Sequence, residues 1–398
     1  MKDLTLTETE ESLVFRYLEC VGTLTTYQGR PPSDFLRQRV RDIVKLNPWL
    51  AGRLVAKKKL VLTYSDQPGP DDRIFTVAED ACLDVGASFE QANAAVSSYL
   101  VKRGNYCVGT DEPLFKVVLI PNIPGSPTQQ FGIVVSMNHI IGDGHTYYRI
   151  FGMLSDREKP YPLNPERFPG LRAESAELLG APASVFTIPS INIGLLRRMI
   201  TRKNHKCIVK FINMDEVKRI KKEHQLDGDP EVPFISTNDI ISAWFLSEAR
   251  ADHGLMAINM RNRIPSVSDC DAGNYENMLS YAAGDQSYSP ADVRRSLMQP
   301  GRQLPSTWSA IFGRSVVISS WATLDRSVHF EGCRQTVHVP LGSPAGVPFD
   351  QVAVVFKPTE DTLAVSFTVD EGTCGFAADN AAILGEDLSL EACLSSSF

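Results

Sequence analysis

Apolar residues recur along this chain at spacings that alternate between strands and helices. Phe35, Leu36, Val40, Ile43 and Val44 fall at helical spacing, so a helix is predicted from Ser33, as its cap, to about Leu46, where Asn47-Pro48 stops it. Trp49 to Val55 and Leu60 to Tyr64 read as a β-pair turning over Lys57, Lys58 and Lys59. A second helix is placed from Glu90 to Arg103. Glu112 to Ile120 gives a strand, and a Pro/Gly/Ser loop from Pro121 to Thr128 joins it to another, Phe131 to Asn138, which delivers His139. Thr146 to Leu154 is then helical, with Ile150, Phe151 and Leu154 toward the sheet.

Residues 157 to about 190 are rich in proline and keep no period, which marks a crossover between two halves, 1–190 and 191–398. The second half begins again with a strand, Cys207 to Asn213, and a helix, Asp215 to His224, whose lysines and arginine form a solvated face. Ser236-Thr237-Asn238-Asp239 caps an apolar helix through Trp244 and Phe245. Leu255 to Met260 runs as a strand into Arg261-Asn262-Arg263, and Val316 to Ser320 runs into Trp321. Val352 to Lys357 and Leu363 to Val369 form a hairpin. Strand–helix–strand units in both halves predict an α/β protein of mixed sheets.

Composition sets the class. The 398 residues are 43% hydrophobic and 22% charged, enough for two domains with cores of their own. A net charge of −7 argues against a general nucleic-acid footprint. There is no run of 18 apolar residues, no signal-peptide pattern in Met1 to Thr5, and no peroxisomal address in Ser395 to Phe398, so a cytosolic chain is expected. Eight cysteines without a C-x-x-C pair, and seven histidines without H-x-x-x-H, make neither a zinc site nor a disulfide scaffold.

The chemistry concentrates in Val134 to His145. Gly142 and Gly144 are expected to supply the backbone conformations of a tight turn that holds His139 at the mouth of a cleft. Asp143, four residues on, orients that histidine or braces the loop. Taken alone, the pair is equally a buried histidine and a turn aspartate.

The order of the other fragments changes this. Asn138-His139-Ile140-Ile141-Gly142-Asp143-Gly144 is similar to the N-H-x-x-x-D-G of the BAHD acyltransferases, and Glu112-Pro113-Leu114 to the E-P-L ahead of it. Asn47 to Leu54 resembles their P-x-L-A-G-R-L segment, and Ser236-Thr237 with Ala243-Trp244 their S-T … A-x-x-W helix. Asn259 to Arg263 followed by Gly273-Asn274 resembles D-x-R-x-R … G-N, and Ser319-Ser320-Trp321 resembles T-S-W. Where the family has D-F-G-W-G, the chain reads Phe330-Glu331-Gly332-Cys333-Arg334, and only Gly332 fits, which suggests a divergent branch. Condensation domains carry two adjacent histidines, and Asn138 stands in the place of the first.

The resemblance implies two similar chloramphenicol-acetyltransferase-like domains with a tunnel between them. It implies transfer of an acyl group from acyl-CoA, as co-substrate, to a hydroxyl or amine of a small molecule, with His139 as general base. No acyl-enzyme, metal or permanently bound cofactor is implied. Asp143 would turn away from the cleft and pair with Arg261, or else Arg263. Trp321, helped by Ser319, would donate to the oxyanion, while Gly332 and Asn274 serve as backbone devices. His145 is the rival base. The CoA phosphates need a local basic patch, either Arg197 to Lys203 or Lys57 to Lys59. Two other readings stand beside this one: an enzyme fed by an acyl carrier protein, and a non-catalytic relative that only binds small molecules.

Overall fold

The structure is a computed structural model describing residues 1–69, 71–125, 128–201, 205–282, 288–299, 303–342, 348–370 and 382–390. Arg202, Lys203, Cys374, Cys393 and the segment Ser395 to Phe398 lie outside the described residues.

Two mixed sheets dominate. The first has five strands in the order Arg334–Leu341, Val21–Gln28, Gln130–Met137, Phe115–Ile120 and Phe75–Val77. The second has seven, in the order Glu276–Ala282, His253–Asn259, Ser315–Ser320, Gln351–Phe356, Ala364–Asp370, His205–Ile212 and Leu384–Asp387. A small third sheet joins Lys2–Thr5, Leu60–Tyr64 and Arg53–Ala56. Every residue of Gln130–Met137 is buried. A strand covered on both faces needs no polar alternation, which is why Phe131 to Val135 read as a continuous apolar run. Arg334–Leu341 comes from the second half of the chain yet pairs with Val21–Gln28, so the halves share a sheet.

The first helix spans Ser33–Leu46, but Ser33 is its first turn and Pro32 precedes it without a side-chain cap. Trp49 and Leu50 are not in a strand. They sit in the 3₁₀ turn Pro48–Ala51, and the strand begins only at Arg53. The next helix is shorter than its pattern suggests: Ser88 and Gln91 form a capping box for Phe89–Val96, and a 3₁₀ turn Ser97–Tyr99 finishes it. The Ser236–Asp239 capping box does open the Thr237–Glu248 helix.

The stretch from 157 to 190 is structured, contrary to its lack of period. It contains the helix Leu171–Leu179, the turn Val185–Thr187 and the start of the helix Pro189–Ile200. These pieces are held by burial of Leu179, Val185, Ile191 and Leu195 in the cores, so tertiary contact substitutes for amphipathic period. Arg197 and Arg198 close the last of these helices. Arg198 is buried in an ion pair with Asp350 at 2.6 Å, and Arg197 donates to the carbonyl of Ile311 at 2.9 Å. Lys57, the first residue of the other basic stretch, pairs with Asp3. Among the described residues no helix is long and apolar enough to cross a membrane.

Candidate active site

The Gln130–Met137 strand leads into a turn whose side chains tie it down. Asn138 accepts from the amide of Ile140 at 3.0 Å and donates to the carbonyl of Lys102 at 2.8 Å, so it is spent on the loop. Gly142 and Gly144 are not among the glycines with left-handed backbone. Their role is space: a Cβ on Gly142 would come within 2.9 Å of both Met137 Cε and Thr146 Cγ2. One on Gly144 would sit 3.3 Å from Leu324 Cδ1 and 3.7 Å from the indole nitrogen of Trp321.

Asp143 caps the helix Gly144–Gly152, accepting from the Thr146 amide at 2.9 Å. Its other oxygen accepts from Arg261 Nη1 at 2.7 Å and from the Tyr275 amide at 2.9 Å. Both partners are buried, with side-chain exposures of 2% and 0%. Burial alone would raise the Asp143 pKa, but the Arg261 guanidinium, with the Thr146 amide and His145, outweighs it and holds the carboxyl below its usual range. Arg261 also donates to the carbonyls of Asp271 and Gly273 and to Thr146 Oγ1, at 2.9 to 3.1 Å. Arg263, two residues on, is exposed.

Asn274 does more than shape backbone. Its Nδ2 donates to the carbonyls of His139 and Ile140 at 2.8 and 3.1 Å, which fixes the orientation of the amide. Its Oδ1 therefore faces Nδ1 of His139, at 3.2 Å. A carbonyl oxygen only accepts, so the network assigns the proton of neutral His139 to Nδ1 and leaves the Nε2 lone pair free. Behind Asn274 stands a buried pair that sequence reasoning missed. Glu10 accepts from the backbone and side-chain nitrogens of Asn274 at 3.0 and 3.1 Å and pairs with Arg167 at 3.0 Å. Arg167 reaches on to the carbonyls of Ile141 and Ala272. The ring edge of Phe15, centroids 5.2 Å apart, braces the imidazole from another side.

His139 lines a mainly apolar cavity, walled in part by Phe15, Phe186, Met278 and Phe349. A second cavity lies against Asp143, His145 and Arg263. The two share Gly144, Ala257, Glu276, Ser319 and Trp321 as boundary. Trp321 packs edge-on against Tyr148 at 6.0 Å, and its indole N–H has no acceptor among the described residues. Ser319 lies two residues earlier, in the Ser315–Ser320 strand. His145 borders only the second cavity. Its Nε2 meets the Asp269 carbonyl at 3.2 Å and its Nδ1 faces the Asn259 amide at 3.4 Å, while burial lowers its pKa. Both ring nitrogens are thus engaged, unlike those of His139.

The described residues hold no group of three His, Cys, Asp or Glu placed to bind a metal. Glu276, whose Oε1 is 3.7 Å from His139 Nε2, was also missed. It stands two residues beyond the Gly273-Asn274 pair that sequence reasoning singled out, and nothing in its neighbours marks it.

The arrangement of sheets and site has solved counterparts. The structure of F. sporotrichioides TRI101 complexed with coenzyme A and T-2 matches with a TM-score of 0.62 at 14% identity, over 96% of this chain and 98% of that one. Vinorine synthase matches with a TM-score of 0.62 at 11% identity, over 98% and 99%. The chain shares the fold of both proteins. The first condensation domain of the CDA synthetase shares it more loosely, with a TM-score of 0.58 at 12% identity over 93% and 92%. No protein-family model matches the sequence, and no curated protein matches it. The shared fold here thus carries a sequence only 11 to 14% identical to those of these counterparts.

Proposed function

We propose that this protein is an acyltransferase that moves an acyl group from acyl-CoA to the hydroxyl or amine of a small-molecule acceptor, with His139 as general base. The observation that carries the reading is the Nε2 of His139, left unprotonated by Asn274 at the edge of a mainly apolar cavity, in a fold shared with a protein crystallised with coenzyme A. In this reading the halves 1–190 and 191–398 are the two domains, and donor and acceptor approach from the two cavities that meet at Glu276, Ser319 and Trp321.

An imidazole is too weak a base to strip an alcohol outright, but it takes the proton as the oxygen attacks the thioester carbonyl. The tetrahedral intermediate carries an oxyanion, toward which the Trp321 N–H and the Ser319 hydroxyl can donate. Collapse breaks the C–S bond, and the proton on Nε2 passes to the departing thiolate. No covalent acyl-enzyme is needed. The Asp143–Arg261 pair contributes by holding the loop, being buried away from Nε2.

The likeness to a condensation domain favours a second reading, in which a carrier protein presents the acyl group. A panel of acyl-CoAs with free-thiol detection, run with and without acceptors and beside an acyl-loaded carrier protein, separates the two. Thiol release from free acyl-CoA supports the first. Turnover with the carrier alone replaces it.

A further inference from the structure

Glu276 begins the edge strand Glu276–Ala282, and its carboxyl borders both cavities. Among the described residues no side-chain or backbone donor hydrogen-bonds it; its Oε1 stands 3.7 Å from His139 Nε2. On one side the cavity wall is mainly apolar, including Phe15, Met278 and Val317; on the other it is polar, including Asn259, Arg261 and Ser319. Burial, and to a lesser degree the nearby Asp143, raises its pKa, while His139 and Arg261 pull the other way. A partly buried carboxyl without a donor is costly to the fold, and this one, with 19% of its side chain exposed, is open to whatever fills the cavity.

We propose that Glu276 selects an amine, entering as its ammonium, as the acyl acceptor. This rests on the acyl-transfer reading and narrows it. An alcohol presents one proton to be removed, and His139 alone suffices for that. An ammonium must lose one proton to expose a lone pair and a second as the amide forms. Two proton acceptors 3.7 Å apart can serve one nitrogen. Glu276, ionised by the arriving cation, binds the ammonium and takes its first proton. The amine then attacks the thioester, the C–N bond forms as the C–S bond breaks, and His139 takes the second proton and returns it to the thiolate sulfur. The first proton leaves Glu276 to solvent, so one ammonium and one thioester yield one amide, one thiol and one proton. An acceptor of this class also supplies the N–H donors that the carboxyl lacks.

The test offers straight-chain primary amines and the alcohols of equal length to the wild-type protein and to Glu276→Gln, with acyl-CoA as donor. Thiol release is followed, the amide or ester is identified by mass, and melting confirms that the variant folds. The expected result is a wild-type preference for amines that falls about tenfold or more, relative to alcohols, in Glu276→Gln, as loss of a base at one proton transfer implies. Equal losses for both acceptors, or a wild-type preference for alcohols, overturns the proposal while leaving acyl transfer standing. If no acceptor raises thiol release, acyl transfer itself is in question, and calorimetric titration with the amines decides for Glu276. Binding lost in Glu276→Gln supports the ammonium site; no binding to either protein overturns it.

Discussion

Asn274 Oδ1 lies 3.2 Å from Nδ1 of His139, across 135 residues of sequence, while the same amide donates to the His139 carbonyl. One side chain thereby sets the ring's tautomer and anchors its backbone. Asn274→Ala should lower the transfer rate about tenfold or more, because the proton is free to move to Nε2, where it blocks the base. Affinity for CoA should hold. An Asn274→Ala protein with normal turnover would mean that the tautomer is set by something else.

Replacing the base has a larger effect. His139→Ala should cut transfer to an alcohol by roughly 10²–10⁴-fold, with little change in acyl-CoA affinity, since the imidazole meets the acceptor and not the nucleotide. A folded, CoA-binding His139→Ala protein that still esterifies an alcohol at near-normal rate would remove His139 from the mechanism, although His145 has both its nitrogens engaged.

Asp143→Asn leaves Arg261 buried without its counter-charge. A loss of about 3–5 kcal/mol is expected in chemical denaturation, with activity falling as the loop loosens. The pH dependence follows from the lowered Asp143 pKa. Its contribution is complete above the unfolded carboxyl value, about 4, and disappears as the pH falls below it toward the folded value. Full stability combined with lost turnover would place Asp143 in the chemistry instead.

Glu276→Gln should act in the opposite sense on stability. The folded pKa of Glu276 is raised, so the native state loses stability as the pH rises from the unfolded carboxyl value through the folded one. The variant should therefore melt higher than the wild type at neutral pH, with the gain shrinking on acidification. A lower melting temperature at neutral pH would show that the carboxylate stabilises the fold.

Coenzyme A should raise the melting temperature by mass action, by about 2.7 kcal/mol of stability at a hundred times its Kd. No shift at saturating CoA, with turnover on an acyl-loaded carrier protein, would favour the carrier-bound donor.

By itself the sequence determined the elements whose signal is local. The helix Ser33–Leu46 repeats its apolar face over 14 residues, and Gln130–Met137 is an unbroken buried run, so period and composition reveal both. His139 and Asp143 could be singled out because a strand end, a turn and a helix cap lie within a few residues. What holds His139 could not be read locally. Glu10 sits in a polar opening and Arg167 in a proline-rich stretch without period, yet they meet as a buried pair behind Asn274, 264 residues from Glu10. Arg334–Leu341 likewise finds its partner, Val21–Gln28, across the length of the chain. Burial and pairing of this kind depend on which distant segments the fold brings together, and neither spacing nor residue type records that. Glu276 shows the same limit: in sequence it is one more charged residue beyond Asn274, and only the tertiary structure sets its carboxyl 3.7 Å from His139 Nε2, between two cavities.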